Sequence, residues 1–150
     1  MIRIARTSVG VLAAVAGSAA LAFAAAPAAS AAPPQVSICP GLPGQATSTD
    51  QCIVSSGPTG LTLAITVDGG EASVQGDNFS GPAAIAIGDG ATVNMTGVNP
   101  GLSIGIAGPN GEVTVNGKTA PTCEGGLGFA GDFQTGKGCF NNGTVQIPLG

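Results

Sequence analysis

The sequence predicts an all-β fold: short repeated strands with Gly-rich turns, wound as a small β-solenoid and stapled by two disulfides. A compact β-sandwich or meander is the alternative. Three observations lead there. Apolar residues alternate with period two from residue 61 onward. Asp-Gly and Asn-Gly steps punctuate the alternation. Four Cys fall in two groups, one before the repeats and one after them.

Taken in order, residues 1–31 carry Arg3 and Arg6, an apolar stretch from Val9 to Ala26, and the A-x-A site Ala29-Ser30-Ala31. This is the pattern of a secretory signal peptide cleaved near Ala31. Residues 32–60 hold Pro33, Pro34, Pro40, Pro43 and Gly44, then Ser and Thr between Ala46 and Ser56, without clear alternation. An irregular N-terminal segment is expected there, mobile up to Cys39. Residues 61–150 are the predicted all-β repeat domain.

Within that domain the alternation assigns to the buried face Leu61, Leu63, Ile65 and Val67, then Ile85 and Ile87, then Val93 and Met95. It continues through Leu102, Ile104 and Ile106, Val113 and Val115, and ends with Val145, Ile147 and Leu149. Between the runs stand Asp68-Gly69-Gly70, Gly88-Asp89-Gly90, Asn99-Pro100-Gly101, Gly108-Pro109-Asn110-Gly111, Asn116-Gly117 and Asn142-Gly143. Such steps supply the positive φ of tight turns. A strand, turn, strand unit recurs with a period of roughly 20 residues, aligned through Ile65, Ile87, Ile106 and Phe129. The inward residues are small or β-branched, with Ala83, Ala84, Ala86, Gly88 and Gly105 between them, which suits a narrow solenoid interior.

The 26 Gly and 11 Pro invite a disordered reading. Yet Leu, Ile, Val and Phe make up about 23% of the residues past Ala31, above the disorder signature of roughly 20%, and they are patterned.

Composition excludes several functions. There is no His, so Ser-His and Cys-His catalytic pairs are impossible. Past Ala31 the only cations are Lys118 and Lys137 against 8 Asp and Glu, which repels nucleic acid and anionic membranes. Phe79, Phe129, Phe133 and Phe140 are the only aromatics there, too few for stacking single strands. No second apolar span follows the leader, so no transmembrane segment is expected in the mature protein. The partner stays unknown, with self-association or an envelope role as the options.

Cys39, Cys52, Cys123 and Cys139 in an exported chain read as disulfides, with three connectivities open. Their grouping favours Cys39 with Cys52 and Cys123 with Cys139. Closing loops of that length contributes about 3 kcal/mol each. No two Cys stand at zinc-ligand spacing.

Two motif matches carry no chemistry. Gly126-Leu127-Gly128-Phe129-Ala130-Gly131 fits G-x-G-x-x-G but has no acid about 20 residues on. The run from Gly131 to Gly138 approaches a P-loop, but Gly138 stands where Ser or Thr must hold magnesium. Asn78, Asn94 and Asn142 head N-x-S/T triplets that are incidental in a chain whose leader looks bacterial. The acids Asp68, Glu71, Asp77, Asp89, Glu112 and Asp132 fall at or near turns, and stacking would bring Asp68 and Asp89 together. They are read as turn formers and solubilisers, with calcium ligation or a glycosidase-type pair as the rivals. The β-roll calcium nonapeptide is not matched at Gly69 to Val74. No catalytic, cofactor-binding or metal residue is assigned.

The Ala-rich leader ending Ala29-Ser30-Ala31-Ala32-Pro33, followed by a Gly/Ala/Thr-rich domain with paired Cys, resembles small uncharacterised secreted proteins of actinobacteria. The segment Gly143-Thr144-Val145-Gln146-Ile147-Pro148-Leu149 is similar to part of the chaplins, surface-active proteins that form β-rich films. Ala84-Ile85-Ala86-Ile87-Gly88 with Ala91 resembles the repeat of trimeric autotransporter heads, which implies β-roll geometry. The expected function is therefore a secreted, non-enzymatic structural or interaction module of the envelope or exterior, without a cofactor. The alternatives are a self-assembling surface-active protein, through edge pairing of the strands Leu61 to Val67 and Leu102 to Ile106, and a calcium-stabilised binding module.

Overall fold

The computed structural model describes residues 32–76, 80–97 and 101–150. The expected signal peptide lies outside them, as do Asp77, Asn78, Phe79, Asn99 and Pro100. Among the described residues the chain forms thirteen strands and no helix.

A seven-stranded sheet contains, in spatial order, β1 (Val36–Gly41), β4 (Leu61–Val67), β6 (Ser80–Ile87), β8 (Ser103–Ala107), β11 (Leu127–Asp132), β12 (Lys137–Asn142) and β13 (Gln146–Leu149). A six-stranded sheet runs β10 (Thr122–Gly125), β9 (Gly111–Val115), β7 (Thr92–Gly97), β5 (Glu71–Gly76), β3 (Cys52–Ser56) and β2 (Ala46–Ser48). From β3 to β9 consecutive strands alternate between the sheets. Within each sheet they pair in parallel, β4 with β6 with β8 and β3 with β5 with β7 with β9. The middle of the chain therefore winds as coils, and antiparallel strands close both ends.

The segment 32–60, expected to be irregular, carries β1, β2 and β3. Its alternation escaped hydropathy because the inward positions are Cys39, Gly41, Cys52, Val54 and Ser56, a mostly small or polar set. Pro40 is tolerated because β1 is an edge strand.

The coils are in register Ile65 with Ile85 with Ile106, so the expected alignment through Ile87 is shifted by one pleat, and Phe129 sits on an antiparallel strand. A slip of two residues keeps every side chain on its face, which is why the pattern alone did not detect it. The turns stack as expected: Gly88 N donates to Val67 O (2.8 Å) and Asn110 N to Asp89 O (3.1 Å). Asp68 and Asn110 adopt positive φ, 48° and 56°. At Gly69, φ is +85° and a Cβ would stand 2.5 Å from Asp89 Oδ1, so only Gly serves there.

The core is asymmetric. The six-stranded sheet contributes Val54, Val74, Val93, Met95, Val113 and Val115, all fully buried. Each such side chain contributes about 1.5–3 kcal/mol. The opposing sheet offers mostly small residues: Ala64, Thr66, Ala84, Ala86, Ser103, Ala107 and Ala130 are buried, with Asp132 and Asn141 as the larger, polar members on β11 and β12. The alternation was therefore assigned to the wrong face in this sheet. Leu61, Leu63, Ile65, Val67, Ile85, Ile87, Leu102, Ile104 and Ile106 lie half-buried or exposed on its outer side, and Val145, Ile147 and Leu149 are exposed as well. The valines and Met95 fill the space between the sheets, and the residues opposite them on β4, β6 and β8 are Ala, Gly, Ser or Thr.

Both expected disulfides form, Cys39–Cys52 with a sequence separation of 13 and Cys123–Cys139 with 16. Across the seven-stranded sheet one inward ladder reads Cys39, Ala64, Ala84, Gly105, Ala130, Cys139. Across the other sheet its counterpart reads Cys52, Ala72, Val93, Val113, Cys123. Each disulfide joins the two ladders at one end, so the staples close a frame around the thin core.

Candidate functional site

The outward rows of the seven-stranded sheet are the molecule's most distinctive surface. One row runs in register through all seven strands: Ile38, Ile65, Ile85, Ile106, Phe129, Phe140 and Ile147. The row on one side is Pro40, Leu63, Ala83, Ile104, Gly131, Gly138 and Leu149. On the other side lie Val36, Val67, Ile87 and Leu127. None of these residues is charged. Six inter-strand steps of about 4.8 Å make the long row about 29 Å across.

Exposure grades along the row. Ile38 at one edge is 58% exposed and Ile147 at the other 45%, whereas Ile65, Ile85 and Ile106 in the middle are half-buried by their neighbours. Phe133, in the turn between β11 and β12, projects at 67% exposure beside Phe129. Monomers rarely present so continuous an apolar face.

The opposite outer face is polar. Its central ladder is Ile53, Ser73, Asn94, Thr114 and Thr122, and beside it run Glu71, Thr92, Glu112 and Glu124. The molecule is thus an amphiphile with one apolar and one polar sheet face.

The other candidate residues are placed as structural groups. Asp68 Oδ1 accepts from Gln35 N (3.0 Å), tying the first turn to the segment before β1. Asp132 is buried, and its carboxylate accepts from Gln134 N (3.0 Å), Ser103 Oγ (3.4 Å) and Thr135 Oγ1 (2.9 Å). It organises the turn between β11 and β12. Glu71 and Glu112 lie on the polar face, two strands apart, while Asp89 sits at a turn. Asp77 lies outside the described residues. Among the described residues no three Asp, Glu, Cys or His side chains come together in a metal-binding group.

The glycine motifs are strand and hairpin: Gly126 to Gly131 leads into β11, and Gly131 to Gly138 spans β11, its turn and β12. No helix follows either, so neither builds a phosphate cradle. Asn142 Oδ1 accepts from Thr144 N (3.0 Å) and Val145 N (2.9 Å), capping the turn into β13. Among the described residues no helix is long and apolar enough to cross a membrane.

The fold and its faces define an all-β, two-sheet protein with an intersheet disulfide at each end. A family of unknown function (DUF6764) is matched by residues 76–142, from the end of β5 through β12. That span includes Ile85, Ile106, Phe129 and Phe140 of the long row and the Cys123–Cys139 bridge. It stops short of residues 143–149. No curated protein and no solved structure matches the chain.

Proposed function

We propose that this chain is a secreted, non-enzymatic β-module that works by laying the outer face of its seven-stranded sheet on an apolar surface in the envelope or outside the cell. The carrying observation is the uncharged row from Ile38 to Ile147, set against a polar opposite face. Adsorption would remove exposed Ile, Leu and Phe from water at roughly 25 cal/mol per Å2 and leave the glutamates solvated. The surface-active alternative is thus favoured over a purely structural role, but by a different route from the one expected. The strands β4 and β8 are interior, paired on both sides, so the face rather than a free edge offers the contact.

Two buried disulfides are compatible with an exported protein. The leader pattern supports export, and the likeness of the β13 segment to chaplins supports surface activity, since Ile147 and Leu149 belong to the apolar face. The absence of His supports a role without catalysis.

The test is the surface pressure of the purified protein at an air–water interface. A rise at low micromolar protein is expected, and a pressure indistinguishable from buffer would sink the reading. Turnover of ester, glycoside or phosphate reporters above blank would refute the non-enzymatic part.

A further inference from the structure

We infer that in solution the apolar face is covered by a second copy of this chain, in a closed two-fold dimer with the seven-stranded sheets face to face. This rests on the reading above, since it names what the same face meets when no other apolar surface is present.

Size is the first argument. Seven strands with about five residues each give a footprint on the order of 500 Å2 in projection. Side-chain relief brings the accessible area near the roughly 800 Å2 per partner of a standard interface.

Charge is the second. The residues named in the rows carry no charge, and their backbone groups are engaged in the sheet ladders, so little polar surface is desolvated; Asn142, in register with Leu127, and Lys137, beside Gly138, border the apolar area.

Shape is the third and most specific. The strand order makes β8 the middle strand. In the row beginning at Pro40, the half before β8 carries Leu63, while the half after it carries Gly131 and Gly138 side by side. These glycines leave a notch walled by Phe129, Phe133 and Leu149, with Asp132 and Lys137 also in its lining. A two-fold axis along β8 sets β4 of one copy opposite β12 of the other, which carries Leu63 over the notch, twice in one interface. Two-fold symmetry demands that kind of self-complementarity.

The edges argue for closure. The outermost strands β1 and β13 each carry a proline, Pro40 and Pro148, which removes a backbone donor where another strand would add. Association through the face is open, and growth along the edge is obstructed.

Gly131 allows a test that separates shape from hydrophobicity. A Cβ there would meet only Ile104 Cγ2 at 3.8 Å and Phe133 Cε2 at 4.0 Å, ordinary contacts, so a side chain can start at position 131 and Gly131→Leu is expected to fill the notch, with a cooperative melt checking that it folds. Sedimentation equilibrium of the disulfide-bonded protein is expected to give a dimer at micromolar concentration. Gly131→Leu is expected to weaken it about tenfold or more. Leu63→Ala, which removes the knob, should weaken it similarly. Surface pressure of Gly131→Leu should be kept or raised, because the variant adds apolar area.

A strict monomer at high micromolar concentration, or an open-ended series of larger species, overturns the dimer. So does a dimer indifferent to both substitutions. A monomer that still raises surface pressure leaves the surface-active reading standing, and a monomer that does not raise it removes both.

Discussion

Gly105 on β8 lies directly beneath Val93 on β7: a Cβ at position 105 would stand 2.9 Å from Val93 Cγ1 and 3.2 Å from Val113 Cγ1. The gap between the sheets is already filled by the valines of one sheet. The larger side chains of the other sheet are therefore turned outward. Gly105→Ala should destabilise the protein by about 1–3 kcal/mol, since the added methyl overpacks a site bounded by β-branched side chains. Thermal unfolding checks this. An unchanged midpoint would show that the sheets separate easily.

Thr66 is fully buried in the inward row of β4, and its hydroxyl has no hydrogen-bond partner. Thr66→Val replaces that hydroxyl with a methyl of the same shape. Removing an unpaired buried polar group should stabilise by about 1 kcal/mol, or roughly 4–8 °C in Tm for a small domain. A lower Tm would mean that the hydroxyl is bonded after all.

The two staples act on the same ladders from opposite ends, so their losses should add. Cys39→Ala with Cys52→Ala, and Cys123→Ala with Cys139→Ala, should each cost about 3 kcal/mol in denaturant unfolding. The quadruple variant should be unfolded or close to it, because among the described residues the core supplies six large apolar side chains, Val54, Val74, Val93, Met95, Val113 and Val115, between the cysteines. A quadruple variant as stable as the parent would show that the valine and alanine packing suffices alone.

Much of this was legible in the sequence. The turns at Asp68-Gly69, Gly88 to Gly90 and Asn110 and the pairing of Cys39 with Cys52 and Cys123 with Cys139 follow from residue spacing. The burial of Val93, Met95, Val113 and Val115 was legible too. The side toward which Ile65, Ile85 and Ile106 point was not. Period-two hydropathy separates two faces of a strand but names the apolar one as buried, and in β4, β6 and β8 the inward face is Ala, Gly, Ser or Thr while the outward face is mostly Ile and Leu, with Val67 and Ala83. The signal that a strand is apolar on both sides is the run Leu61-Thr62-Leu63-Ala64-Ile65-Thr66-Val67, where the intervening residues are small rather than charged. The strands before residue 60 were missed for a related reason: their inward residues are mostly Cys, Gly and Ser, whose burial hydropathy does not announce.

The central claim is that the row through Ile85 and Ile106 is the working surface. These two residues are register partners on parallel strands, as are Asn94 and Thr114 on the opposite face. The double variants Ile85→Glu/Ile106→Glu and Asn94→Glu/Thr114→Glu therefore add the same charges in the same geometry to opposite sides. Adsorption of each to an apolar surface, with folding verified by the intact disulfides and a cooperative melt, compares the faces directly. The isoleucine double variant is expected to fold and lose adsorption, and the polar-face variant to fold and keep it. Equal adsorption by both, or an unfolded isoleucine variant, would contradict the outward placement and role of that row.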